Sequence, residues 1–210
     1  MELPRSRVRA WQEGSKPDVV RGIETAREHG WLECAPDGET FAALNRLVAG
    51  VFSGGSISES VYKPSFSATD ELVDGQLRAD LETLGVGAKV ALSNSGNVEE
   101  IRPRGSASVL GRVLVALGGP LGAKAGRVDR LPSYLYRHRE ATQREFARVY
   151  VSNRATDRRD RGFHQIREER SDRYLDAVAA LLREMMDVEV WRGDRTVRFD
   201  DDGLVDLGLG

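Results

Sequence analysis

Apolar residues in "LVAGVFSGGS", residues 47–56, follow one another with almost no polar spacing and stop at two glycines, which predicts a buried helix ending in a tight turn. "FARVYVSNRA", residues 146–155, closes a second helical pattern in the same way, apolar and then polar. Extended stretches follow each: "ISESVY" and "YKPSFSA" after the first, "FHQIREE" after the second. Downstream, "TDELVDGQLRADLETLG" and "SDRYLDAVAALLREMMD" each open on a residue suited to cap a helix, Thr69 and Ser171, with an acidic first turn matched to the helix dipole. Two alternating stretches then read as hairpins, "KVALSNSGNVEEIR" around Asn94-Ser95-Gly96 and "VEVWRGDRTVRF" around Gly193-Asp194. The pattern therefore predicts an α+β fold made of two αββαββ repeats, residues 41–105 and 140–200. Superposing them sets Leu47 on Phe146, Val51 on Tyr150, Phe52 on Val151, Ser53 on Ser152 and Gly55 on Arg154.

The segment between the repeats, residues 106–139, begins with a helix to about residue 117, with Val109, Leu110, Val113, Leu114 and Leu117 on one face and Gly118-Gly119-Pro120 as its stop. Residues 1–40 read as a small helical segment: two short helices joined through Glu13-Gly14-Ser15, with Ser15 as cap, Pro17 in the first turn and Gly30 as the stop. That outline suits a helix-turn-helix or, equally, a helical hairpin docked on the main body. Residues 201–210 form a tail.

Composition narrows the chemistry. The 210 residues carry a formal net charge of −2, which argues against a globally basic polymer binder. Of 31 basic residues only Lys16, Lys63, Lys89 and Lys124 are lysine; arginine, the side chain suited to forked phosphate and guanine contacts, makes up the rest. The densest basic run, residues 148–170, is either a solvated mixed-charge face or a contact surface. Cys34 has no second cysteine and reads as a loop thiol; His29, His138 and His164 lack metal-ligand spacing. "GGPLGAK" places Lys124 after glycines without phosphate-loop spacing, and the chain ends lack the nucleophile and asparagine of a self-excising segment. No apolar run approaches a membrane span and "MELPRSRVRAW" has no signal-type apolar region, so a cytoplasmic protein without membrane contact is expected.

Taken together, the two motif-like helix ends, the repeat and the "ALGGPLGAK" connection resemble a single-chain LAGLIDADG homing endonuclease, in degenerate form. The resemblance implies a saddle in which the two signature helices pack side by side, with Ala49 and Gly50 of one meeting Arg148 and Val149 of the other, in a monomer with internal pseudo-twofold symmetry. It also implies that an acid at each helix end would hold Mg²⁺ for phosphodiester hydrolysis. Gly55 and Arg154 stand at those positions, so no catalytic residue, metal or other cofactor is expected; Mg²⁺ enters only if Glu59, Asp157 or Asp160 act as displaced acids. Strand phase, with Phe66, Ile166, Val90, Leu92, Val197 and Phe199 inward, leaves Lys63, Ser65, Ser67, Lys89, Ser93, Gln165, Arg167, Thr196 and Arg198 outward toward DNA. Trp191 shares the outward phase, either as a base or sugar contact or as an aromatic cap on the sheet edge, and Arg21 and Arg27 would add contacts from the N-terminal helices. The implied function is a sequence-specific duplex-DNA-binding protein without cleavage chemistry, a transcription regulator in role. A metal-dependent endonuclease and an RNA-binding intron maturase remain as alternatives.

Overall fold

The computed structural model describes residues 16–67, 70–92, 99–158 and 162–209. Helix α1 (Asp18–Glu28) precedes α2 (Glu39–Ser53), β1 (Ser56–Ile57), β2 (Pro64–Ser65), α3 (Glu71–Thr83), β3 (Ala88–Leu92) and β4 (Glu99–Pro103). Helix α4 (Ala107–Ala116) and a 3-10 turn (Ser133–Tyr136) then lead to α5 (Glu140–Arg154), β5 (Ala155–Arg158), β6 (Phe163–Arg167), α6 (Asp172–Met185), β7 (Trp191–Arg192), β8 (Thr196–Phe199) and the short α7 (Asp202–Asp206). The αββαββ order thus occurs twice.

The second repeat forms one antiparallel sheet in the order β5-β6-β8-β7. In the first, the hairpins β1-β2 and β3-β4 are joined by the paired backbone bonds of Phe66 and Ile101, 2.9 and 2.7 Å, which sets β2 beside β4 and reproduces the same order. Cap chemistry departs from expectation at two helices. Asp70 caps α3, its carboxylate accepting from the amides of Leu72 and Val73, while Thr69 lies outside the described residues. Pro17 sits at the N-cap of α1 rather than inside its first turn, and Ser15 lies outside the described residues. Ser171 caps α6 as expected, accepting from the Tyr174 amide, and Gly30 and Gly118, at φ +71° and +101°, end α1 and α4 where a side chain would be strained.

Helices α2 and α5 run side by side at the centre of the core. Asn45 Nδ2 donates to the Thr142 carbonyl at 2.9 Å, Arg46 reaches Glu145 at 3.3 Å, and Asn153 Nδ2 donates to Ser53 Oγ at 2.9 Å, so the contacts advance together along both helices and the pair is parallel. The Phe52 ring meets Phe146 at 5.8 Å between them. Ala49 lies one turn from both Asn45 and Ser53, and Val149 one turn from both Phe146 and Asn153, which puts both on the side of their helix turned to its partner. Gly50 and Arg148 do not lie there. A Cβ on Gly50 would sit 3.2 Å from Phe66 and 3.3 Å from Leu77, so this glycine lets α2 approach its own sheet and α3. Arg148 lies at the margin, 3.9 Å from Glu145. On a helix buried along most of its length, sequence alone does not say which neighbour a small residue admits.

Candidate nucleic-acid interface

Alternation along the paired strands fixes which side chains leave the core. Across the second sheet the register aligns Thr156, Gln165, Arg198 and Trp191 in one row, with Arg167 opposite Thr196 in a neighbouring row. Directly opposed residues share a face, and Ile166, Val197 and Phe199 fill the core on the other side, each 0% exposed. Phe163 also faces outward, and the Arg198 guanidinium stacks on its ring at 5.1 Å, a contact that holds the arginine extended over the sheet. Trp191 lies in the row on the edge strand β7, partly exposed.

In the first sheet Ser65 pairs with Ser56, their hydroxyls 3.1 Å apart, and Lys89 lies opposite Arg102. Lys63 is exposed, and Ser67 is partly occupied by donating to the Gly54 carbonyl at 3.0 Å. Ser93 lies outside the described residues. Val90 shares a face with buried Ile101, as phase requires, but it is 43% exposed and Leu92 is 61% exposed. The expectation that both are inside is therefore corrected: the β3 edge runs beyond the helices that cover the rest of the sheet. Arg21 and Arg27 are on α1, which docks on α4 through Gly22 against Val109; Arg21 pairs with Asp18 and Arg27 approaches Glu33 at 3.9 Å. The structure does not bring them together with the strand residues.

At the C-terminal ends of α2 and α5 lies a cleft of about 340 Å³, lined by residues that include Lys124, Arg154, Arg167, Glu168 and Arg170. Lys124 arrives from the connecting segment and donates to the carbonyls of Val51 and Gly55, both at 2.8 Å. Arg170 donates to the Phe52 carbonyl and stacks on Tyr174 at 4.4 Å. Two cations thus cap the carbonyl-rich end of α2, where the helix dipole is negative. Glu168, 3% exposed, accepts from Tyr150 Oη at 2.5 Å and from Arg154 Nε at 3.1 Å, with Arg170 Nε 3.5 Å from its other oxygen. Burial pushes the Lys124 ammonium down to about 8, and the Arg170 and Arg154 charges add to the effect. Burial raises the Tyr150 and Tyr174 phenols, so both stay neutral, and Tyr150 donates to Glu168.

The residues at this junction do not fit a divalent ion. A Cβ on Gly55 would lie 2.4 Å from the Ser65 carbonyl, so the backbone itself leaves no room for an acid there. Arg154 is turned toward Glu168 and the Arg167 carbonyl. Where the ends of α2 and α5 come together, the residues that meet are Ser53 and Asn153. Glu59 is engaged by Arg127 at 2.7 Å, Asp157 lies on β5 opposite His164, and Asp160 lies outside the described residues. Among the described residues no group of three or more His, Cys, Asp or Glu side chains is placed to hold a metal. Lys124, Glu168 and Arg170 are the residues that sequence reading missed at this site. For Glu168 and Arg170 the only signal was the basic run at 148–170, which the fold divides into an inward part and the outward Arg167, and for Lys124 it was its place in "GGPLGAK". Cys34 is a loop thiol raised by burial, 3.7 Å from the Trp31 carbonyl.

No family model and no curated protein matches the chain. Solved structures do. Full-length DUF199/WhiA from Thermatoga maritima is similar at a TM-score of 0.53 and 11% identity, over 89% of this chain and 61% of that one. The N-terminal LAGLIDADG domain of DUF199/WhiA is similar at 0.51 and 12%, over 90% and 91% of the two chains. The homing endonuclease I-DmoI, solved with DNA and Mn, is similar at 0.52 and 10%, over 81% and 98%. The fold is therefore of the LAGLIDADG type, and the chain spans 61% of the length of full-length WhiA. Among the described residues no helix is long and apolar enough to cross a membrane.

Proposed function

We propose that this protein binds duplex DNA in a sequence-dependent way on the outward faces of its two sheets, does not cut it, and acts by occupying its site, as a transcription regulator does. One observation carries the reading: Arg167 belongs both to the outward face of the second sheet and to the cleft at the helix ends, so a binding surface of arginine, glutamine and aromatic side chains continues into a centre where cations outnumber carboxylates and the buried one, Glu168, is held by Tyr150 and arginines. Gln165 and Arg198 supply donors for base edges or phosphates, and I-DmoI, of like fold, was solved bound to DNA. A regulator needs affinity and residence on its site, which such a surface offers; cleavage would need a metal-activated water, which this junction is not built to hold.

The test exposes the full chain to a randomised duplex library by repeated selection, followed by anisotropy on the enriched sequence and denaturing gels with Mg²⁺ and with Mn²⁺. Enrichment of one sequence, binding indifferent to the metal, and an intact duplex are expected. Arg198→Ala should weaken binding and lower the slope of log affinity against log salt by about one contact's worth. Metal-dependent cutting that Asp157→Asn or Glu59→Gln abolishes would replace this reading with an endonuclease using displaced acids; preference for structured RNA over every duplex would replace it with an RNA chaperone.

A further inference from the structure

The cleft at the helix ends is overcharged by the protein that builds it. Lys124, Arg154 and Arg170 surround a single buried carboxylate, Glu168, whose Oε1 takes Tyr150 and Arg154 and whose Oε2 has Arg170 only at 3.5 Å; with Arg167 the lining carries four cations against this carboxylate and the exposed Glu169. Buried cations in excess of their partners are costly to retain unless something else completes them. The Arg170 side chain is 5% exposed, yet its Nη1 has no hydrogen-bond partner. Lys124 commits two of its three N–H donors to carbonyls, and the exposed Arg167 guanidinium has no protein partner among the described residues. The helix carbonyls, which alone would repel an anion, are already covered by Lys124 and Arg170. What the cleft lacks is a compact acceptor of several charge-assisted hydrogen bonds with two or more oxygens in different directions.

We infer that this cleft is a site for one phosphate group, bound without a metal ion by the donors of Lys124, Arg154, Arg167 and Arg170. Resting on the function proposed above, that group is a backbone phosphodiester of the bound duplex near the centre of its site, and the cations stand where an active member of the fold would require metal. A tetrahedral anion suits donors that converge from three separate segments better than a planar carboxylate does. Ser53, joined to Asn153, closes the floor of the cleft. The arrangement holds a phosphate in place and supplies no nucleophile to attack it.

Two arms separate the phosphodiester from a free phosphate. In the first, inorganic phosphate is titrated into the full chain at constant ionic strength, followed by amide chemical shifts, with Lys124→Gln and the exposed Arg167→Gln as variants; Arg170→Gln is added if circular dichroism shows it folded. In the second, single uncharged methylphosphonates are walked across the selected duplex for wild type and for Lys124→Gln. Saturable phosphate shifts on residues lining the cleft, weakened tenfold or more in either variant, are expected. So is one central position at which methylphosphonate costs wild type about tenfold and costs Lys124→Gln almost nothing. Duplex binding with neither phosphate saturation nor any position coupled to Lys124 overturns the phosphate site and leaves the DNA reading standing. Phosphate saturation without duplex binding keeps the site, assigns it to a free phosphate or phosphate monoester, and removes the DNA reading. Failure of both arms removes both.

Discussion

The ends of α2 and α5 have the same length, the same direction and the same place in their repeats, yet they are finished in opposite ways. α2 is buried along 11 of its 15 residues and ends on Gly54 and Gly55, whose backbones lie so near the strand carbonyls of Ser67 and Ser65 that neither accepts a Cβ; its last carbonyls are covered by cations from elsewhere in the chain. α5 is buried at five of 15, carries its own cation at Arg154, and turns it onto Glu168. One helix end has become backbone and the other electrostatics. The loss of an acid is thus not a single exchange that a single exchange would reverse, because on one side geometry forbids the residue and on the other a buried network occupies the space.

The sharpest break in this contrast should come from the carboxylates. Glu168→Ala leaves Arg154, Arg170 and Tyr150 facing one another without a counter-charge and should cost about 3–5 kcal/mol in urea denaturation. Asp80→Ala, which strips Arg46 of its bidentate partner in the first repeat, should cost a similar ~3–5 kcal/mol while leaving the phosphate response of the cleft in place. If the cleft responds equally to both, the two repeats are not independent.

Proton linkage comes next. Lys124 has its ammonium depressed to about 8 from 10.5 by burial and by the Arg170 and Arg154 charges. Between those values the unfolded chain binds the proton and the folded chain does not, so stability rises with pH; below about 8 both states hold it and the penalty is fully present. Compared with Lys124→Met, the wild type should therefore gain up to about 3 kcal/mol from pH 8 to 10.5, measured as the difference between two denaturation series. A parallel pair of curves would show that the ammonium is solvated.

Smaller effects probe the glycines. Gly55→Ala should cost about 1–3 kcal/mol through the Ser65 carbonyl, whereas Thr156→Ala, on the exposed face of β5, should stay within about 0.5 kcal/mol. For the same reason Gly55→Asp together with Arg154→Asp should destabilise the protein without giving cleavage. Gly50→Leu should show a coupling of about 0.5–3 kcal/mol with Leu77→Ala in a double-mutant cycle and none with Val149→Ala, which separates crowding within the repeat from crowding between the helices.

Both repeats, their hairpins and nearly all strand phases were legible in the chain, because alternation and helical spacing are local and the core reads them directly. Coverage was not: Val90 and Leu92 keep their phase but lie beyond the reach of the helices, a matter of lengths that alternation does not encode. The partner of Gly50 was hidden by a helix buried against neighbours on several sides. The cleft was the least legible part, since Lys124 comes from the connecting segment and Arg154 and Arg170 from the two ends of one basic run, and nothing in their spacing says that the fold converges them on Glu168.

The hydrogen bonds between α2 and α5 join residues 97 and 100 positions apart. During synthesis, at about 5–20 residues per second, α2 therefore emerges roughly 5–20 seconds before the helix that covers it. For that interval Phe52 and its neighbours have no permanent partner, and the first repeat is a waiting half rather than a domain. Speed of translation through the connecting segment, and any chaperone that holds a helix awaiting its partner, then bear on the yield of this protein alongside its final stability.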